Sequence, residues 1–183
     1  MCVPGTGVWA VVLAAGAASR FGSPKQRLLL EPVLERVRRS SVGENVVVVL
    51  GAHELETSAR KVHCPEWERG PGVSLRCGLA ALPPEADAAV VVLADGPRLA
   101  PASIDRVIAS WAEAGAPVVA ATYGGVRLHP VLLAREAWDG IPDEGARTLD
   151  AVLIPCDDLE SPGDVDFADE LPEDVTSWSS RDP

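Results

Sequence analysis

Val8-Trp9-Ala10-Val11-Val12-Leu13-Ala14, running directly into Ala15-Gly16-Ala17-Ala18-Ser19-Arg20-Phe21-Gly22-Ser23-Pro24-Lys25, decides how this chain is read. The first seven residues are apolar on both alternating faces, as a central parallel strand covered by helices requires. The small residues at 14–19 let backbone amides come close to a ligand, and Gly16 and Gly22 permit turns that other residues resist. Arg20 and Lys25 add two cations beside those amides. Amide donors plus cations form a site for a polyphosphate; the competing reading is an ordinary strand-to-helix turn with surface charges. The stretch lacks the Gly-Lys-[Ser/Thr] of a P-loop and is not a Gly-x-Gly-x-x-Gly fingerprint. Both absences count against nucleoside-triphosphatase and ordinary dehydrogenase chemistry.

Working outward, the same strand pattern recurs at Val46–Leu50, Ala89–Leu93 and Pro117–Thr122. Helical spacing separates these runs. Pro32–Arg39 places Val33 and Val37 on one face and leaves Arg36, Arg38 and Arg39 as surface charges. Ser74–Leu82 aligns Leu75, Leu79 and Leu82. Pro101–Ala114 carries Ile104, Val107, Ile108 and Trp111 on a stripe, with Gly115 as its stop. Alternating strands and helices predict an α/β fold, a three-layer α/β/α sandwich around a mainly parallel, Rossmann-like sheet. Tyr123-Gly124-Gly125-Val126 reads as a tight turn in a small antiparallel excursion. One domain is expected over residues 1–175, with 176–183, including Trp178, as a flexible tail.

The 183 residues suit a single α/β core, and the charge is unevenly placed. Ten acids and one base fall in residues 157–183, which therefore carry −9 of the formal −11. The remainder is near neutral and offers no basic footprint for nucleic acid. The longest apolar runs are far too short to span a bilayer, and no basic segment precedes an apolar one at the N-terminus. A soluble cytoplasmic protein is expected. Cys2, Cys64, Cys77 and Cys156 form no Cys-x-x-Cys pair and are read as free buried thiols. Neither they nor His53, His63 and His129 have zinc-ligand spacing.

A second loop carries chemistry. In Val90-Val91-Val92-Leu93-Ala94-Asp95-Gly96-Pro97, the aspartate ends a central strand, where open α/β sheets bind ligands. A hard carboxylate there suits Mg²⁺ with phosphate oxygens as its other partners. The bland alternative is an Asp-Gly-Pro turn in which Asp95 caps backbone amides. Trp67, beside Gly70, is read either as pocket lining or as core packing.

Taken in order, these loops resemble the MobA-like nucleotidyltransferases. Leu13-Ala14-Ala15-Gly16, then Arg20, Gly22 and Lys25-Gln26, matches the family's first motif without a gap. Gly70, Ser74-Leu75 and Gly78-Leu79 resemble its base-side loop, and Leu93-Ala94-Asp95, Pro97 and Leu99 its metal loop. His129-Pro130 and Asp143-Glu144-Gly145-Ala146-Arg147 resemble later substrate-side motifs. Asp164-Val165-Asp166 with Glu170–Asp174 is similar to the family's C-terminal segment. The Leu-Ala-Ala-Gly form is similar to that of the molybdenum cofactor cytidylyltransferases. Gly96 and Leu128 depart from the family pattern. Leu28–Pro32, Ala52–Cys64 and Trp138–Pro142 read as shortened loops.

The resemblance implies the fold of the nucleotide-diphospho-sugar transferases and Mg²⁺-dependent transfer of CMP from CTP to a molybdopterin-type cofactor. It implies Arg20, Lys25 and Asp95 as catalytic residues. Leu13, Ala14, Ala15, Gly16, Arg20, Lys25, Ser74 and Gly78 would bind the nucleotide, His129 and Arg147 the acceptor, and Asp95 and Asp166 or Asp164 the metal. Arg147 has a competing reading as the partner of Glu144 in a surface ion pair. The implied partners are CTP or GTP, the molybdopterin-type acceptor and a molybdenum enzyme during maturation, with no membrane. The alternatives are a transferase using GTP or another small phosphate acceptor, a non-catalytic nucleotide- or cofactor-binding maturation protein, and an oxidoreductase.

Overall fold

A computed structural model describes residues 7–17 and 26–163. The elements are β1 (Val8–Ala14), α1 (Gln26–Arg38), β2 (Val46–Leu50), β3 (Arg60–His63), α2 (Pro71–Ala80), β4 (Ala88–Leu93), α3 (Pro101–Ala114), β5 (Val118–Tyr123), β6 (Val126–Ala134) and β7 (Val152–Pro155). Strand and helix alternate as the sequence predicts except at β3, which stands inside the stretch Ala52–Cys64 read as a shortened loop, and from β5 onward. They build a seven-stranded sheet in the order β3-β2-β1-β4-β6-β5-β7. Within it β6 is antiparallel to both β4 and β5, and the other pairings are parallel.

Both faces of the sheet are covered, because both faces of its central strands are apolar. On one side Ala10, Val12, Val48 and Val90 meet Leu30, Val33, Leu34 and Val37 of α1 and Ile104, Val107 and Ile108 of α3. On the other Val11, Val47, Val49, Ala89 and Val91 meet Val73, Leu75 and Leu79 of α2. The three-layer α/β/α sandwich follows. The chain adds strands on one side of β1 and then crosses to the other, so the carboxyl ends of β1 and β4 flank the switch point where such sheets bind ligands.

Three local expectations are corrected. The stretch Leu28–Pro32, read as a shortened loop, is helical, and α1 begins at Gln26 with Pro32 inside it. Pro32 reads as a helix start from sequence. An interior proline costs about 3 kcal/mol, which the full burial of Leu29 and Leu30, about 1.5–3 kcal/mol each, offsets. The antiparallel excursion is larger than expected. Gly124 (φ 57°) and Gly125 (φ 78°) form the predicted tight turn, but β6 runs nine residues and inserts between β5 and β4.

The third correction concerns the thiols. Cys64 and Cys77, 13 residues apart in sequence, form a disulfide with Cα atoms 5.9 Å apart; Cys156 alone is free and buried among the described residues. Spacing could not show this pair, because it is made where the chain leaving β3 meets the middle of α2. Closing a loop of this size stabilises by about 3 kcal/mol in the chain-entropy account. Cys77→Ser is therefore expected to lower the urea midpoint as reductant does, and to make the variant insensitive to reductant. A wild-type midpoint unmoved by reductant would contradict that.

Candidate active site

The site forms where β1 and β4 end together. Leu13 pairs with Leu93, and the ladder continues through Ala94 N–H donating to Leu13 O at 3.0 Å. Ala15-Gly16-Ala17 and Asp95 therefore leave adjacent strands at the same level. Leu13 is half-buried and Leu93 is 40% exposed, which leaves an apolar floor beside Asp95. Ala14 and Ala15 are buried, whereas Gly16 and Ala17 are exposed.

The first loop is stitched to the exit of β2. Ala52 N–H donates to Ala15 O at 3.0 Å, and His53 Nε2 lies 3.0 Å from Ala17 O. Trp67 packs on Gly51: a Cβ at Gly51 would stand 2.6 Å from Trp67 Cγ and 2.7 Å from Ala15 O. Trp67 thus braces the loop from behind. Gly51→Ala is expected to push Trp67 or the loop aside and to cost about 1–3 kcal/mol, with weaker nucleotide binding, measured by urea unfolding and calorimetric titration.

On the α2 side, two of the sequence motifs interlock. Gly72 N–H donates to Asp143 O at 2.9 Å, and a Cβ at Gly72 would stand 1.8 Å from Pro142 O. Arg76 donates from Nη1 to Ile141 O at 2.6 Å and from Nη2 to Asp143, which Arg69 also approaches at 3.3 Å. The hydrogen bond from Arg76, with both guanidinium charges, holds the Asp143 carboxyl below the usual range. Ser74 is buried in the second turn of α2. Gly78 faces the sheet, where a Cβ would stand 2.5 Å from Val11 Cγ1 and 2.7 Å from Val49 Cγ2. It lets α2 lie close on β1 and β2, so any effect on a ligand is indirect.

The sequence profile of the MobA-like NTP transferase domain matches residues 10–155. The chain belongs to this family. The family's shared chemistry is nucleotidyl transfer. No curated relative matches the chain. Among solved structures, the crystal structure of the Mycobacterium tuberculosis Rv0371c homolog from Mycobacterium sp. strain JC1 is similar at 26% identity and TM-score 0.74, over 93% of this chain and 96% of that one. The Rv0371c structure in complex with manganese, from Mycobacterium tuberculosis H37Rv, is similar at 22% identity and TM-score 0.63, over 94% and 97%. Molybdopterin-guanine dinucleotide biosynthesis protein A from Archaeoglobus fulgidus is similar at 18% identity and TM-score 0.66, over 94% and 99%.

In this MobA-like domain the loop after β4 is half-buried at Asp95 and buried at Gly96 and Pro97. Arg98 N–H donates to Pro162 O at 3.1 Å, which fastens Pro162 to this loop; the metal candidates Asp164 and Asp166 follow it in sequence. Those two aspartates, like Arg20 and Lys25, lie outside the described residues. Among the described residues no group of three or more His, Cys, Asp or Glu could hold a metal. One hard carboxylate where β4 ends beside the loop after β1 fits Mg²⁺ or Mn²⁺, which take much of their coordination from phosphates and water.

His129 is 9% exposed, and among the described residues neither Nδ1 nor Nε2 has a hydrogen-bond partner. Burial pushes its imidazole down to about 4, against the pull of Asp95. Arg147 is exposed in a short 3-10 turn, Ala146–Thr148. Arg127 was not anticipated from sequence. It donates from Nη1 to Leu149 O at 2.6 Å and from Nη2 to Ala146 O at 2.9 Å, which fastens that turn to β6, and burial pushes its guanidinium down. The one signal for it was a charged residue inside a mainly apolar strand. No helix among the described residues is long and apolar enough to cross a membrane.

Proposed function

We propose that this domain transfers CMP from CTP to a molybdopterin-type phosphate acceptor and releases pyrophosphate. The observation that carries the reading is the paired exit of the first loop and Asp95 at the Leu13↔Leu93 register. It sets a string of backbone amides beside a carboxylate at the switch point of the sheet. The acceptor phosphate oxygen forms a bond to the α-phosphorus as the bond to the β-phosphate oxygen breaks, in line, and the electron pair leaves with pyrophosphate. Such a reaction needs positioning and neutralisation of charge more than a strong base.

The amides around Gly16 hold the β- and γ-phosphates, and Arg20 and Lys25 offset the charge building on the leaving group. Asp95, with Asp166 or Asp164, holds a divalent cation. That cation, Mg²⁺ in this reading, supplies charge neutralisation across the phosphates when bound. Ser74 lies on the base side; His129 and Arg147 lie toward the acceptor. Ala15, buried and bonded through its carbonyl to Ala52, presents the Leu-Ala-Ala-Gly form associated with cytosine. Calorimetric titration with CTP and GTP, with and without Mg²⁺, tests the reading. Mg²⁺-dependent preference for CTP supports it. Preference for GTP moves the assignment to guanylyl transfer, and binding of neither nucleotide refutes the enzyme.

A further inference from the structure

The Cys64–Cys77 disulfide closes a ring of chain that supports the candidate site on two sides. From Cys64 the ring passes through the short 3-10 turn Trp67–Arg69 and enters α2 at Pro71. Trp67 packs on Gly51, and the next residue, Ala52, donates its N–H to Ala15 O in the loop after β1. Farther round the ring, Gly72 holds the Asp143 carbonyl, while Arg69 and Arg76 hold its carboxylate.

The turn depends on how its two ends are held. Its backbone hydrogen bonds, Arg69 N–H to Glu66 O and Gly70 N–H to Trp67 O, are internal to it. At one end Cys64 N–H donates to Leu50 O at 2.8 Å, which ties the ring to the exit of β2 just before Gly51. At the other end the disulfide ties the middle of α2 to Cys64, with Cα atoms 5.9 Å apart. Opening the disulfide leaves the sheet and both apolar layers in place, because a core of this size does not need a staple to fold. What it releases is the segment that carries Trp67.

The two sulfurs are unequally placed. Cys64 is fully buried, whereas Cys77 is half-buried on α2. The thiolate of a small dithiol therefore attacks the Cys77 sulfur, the bond to the Cys64 sulfur breaks, and Cys64 leaves as a thiolate that takes a proton. The Cys64 sulfur lies 3.7 Å from Val73 O, an acceptor for the thiol so formed. The reductant's second thiolate then displaces Cys77 from the mixed disulfide. The dithiol is oxidised to a disulfide, and the protein gains two thiols.

We infer that Cys64–Cys77 is a thiol-exchange site that sets nucleotide affinity: closed, it holds Trp67 on Gly51 behind the loop after β1, and reduction by a small dithiol withdraws that support. The inference rests on the nucleotidyl-transfer reading and adds a redox control to its nucleotide side.

For the test, wild type is prepared oxidised and after reduction with dithiothreitol, and thiols are counted in denaturant. The reduced sample should show two more. It should bind Mg²⁺-CTP about tenfold more weakly by calorimetry. By linkage, saturating Mg²⁺-CTP should lower the midpoint potential of the pair by about 30 mV, that tenfold expressed for a two-electron couple. Cys64→Ala/Cys77→Ala should bind as reduced wild type does, with or without dithiothreitol. Equal thiol counts overturn the inference, and so does equal affinity in the two wild-type states, even where reduction lowers the unfolding midpoint. If neither state binds CTP, the transfer reading has failed, and tryptophan emission decides the inference separately. Reduction should change the emission of wild type and leave that of Trp67→Phe unchanged; an equal change in both overturns it.

Discussion

Asp95→Asn is expected to cut turnover by about 10³-fold or more, since losing the carboxylate proposed to hold the cation gives up roughly 4 kcal/mol of charge stabilisation in the transition state. The substitution is nearly isosteric. Ala94 and Leu93 remain in the ladder with Leu13, so the β4 exit keeps its position. What changes is the ligand, because an amide oxygen carries no formal charge to attract a hard cation. The decisive measurement is nucleotide affinity against Mg²⁺ concentration, alongside kcat. The variant should bind CTP with little Mg²⁺ dependence. Wild-type Mg²⁺-dependent affinity in Asp95→Asn would remove Asp95 from the cation site.

The second large effect is expected at Lys25. Lys25→Ala should lower kcat by roughly 10²–10³-fold, the range seen when one preorganised donor to a developing charge is removed. The fold should persist. The helix that begins at Gln26 is held by Leu29, Leu30, Val33, Leu34 and Val37, all buried against the sheet and independent of the lysine charge. Because the charge on the departing pyrophosphate grows during the reaction, the loss should fall on kcat more than on KM. A KM effect alone would make Lys25 a ground-state phosphate contact. An unchanged kcat/KM would take it out of the mechanism.

The parts of this protein that were legible in its sequence are those governed by local pattern. The bounds of β1, β2 and α3 are the ones their periodicity predicts, and Gly115 ends α3 in the left-handed conformation (φ 63°) expected of a helix-stopping glycine. The three-layer fold followed from the same alternation. Pro32 concealed the first turns of α1, because proline marks helix starts more often than interiors. The placement of β6 between β4 and β5 was hidden because strand order is a non-local property.

At the site, the motifs identified the residue types but not their partners. Asp143 belongs to a stretch read as substrate-side, yet its carboxylate is held by Arg69 and Arg76 and its carbonyl by Gly72. Gly78 clears space for Val11 and Val49 beneath a helix. Gly51 and Trp67 brace the first loop through a contact between segments with no shared motif. The Cys64–Cys77 pair is of the same kind, being created by the meeting of β3 and α2.

The lone reversed strand has a consequence for how such an enzyme can change. Because β6 runs against β4, the turn that precedes it, Gly124-Gly125, comes to the same end of the sheet as the loops that follow β1 and β4. That turn is exposed, and an added Cβ at either glycine meets nothing within 4 Å. New residues grafted there would grow over the β6 end of the sheet while the loop after β1 and Asp95 stayed on strands that need not move. Lengthening that one hairpin can therefore reshape the β6 end of the sheet without moving the loops after β1 and β4.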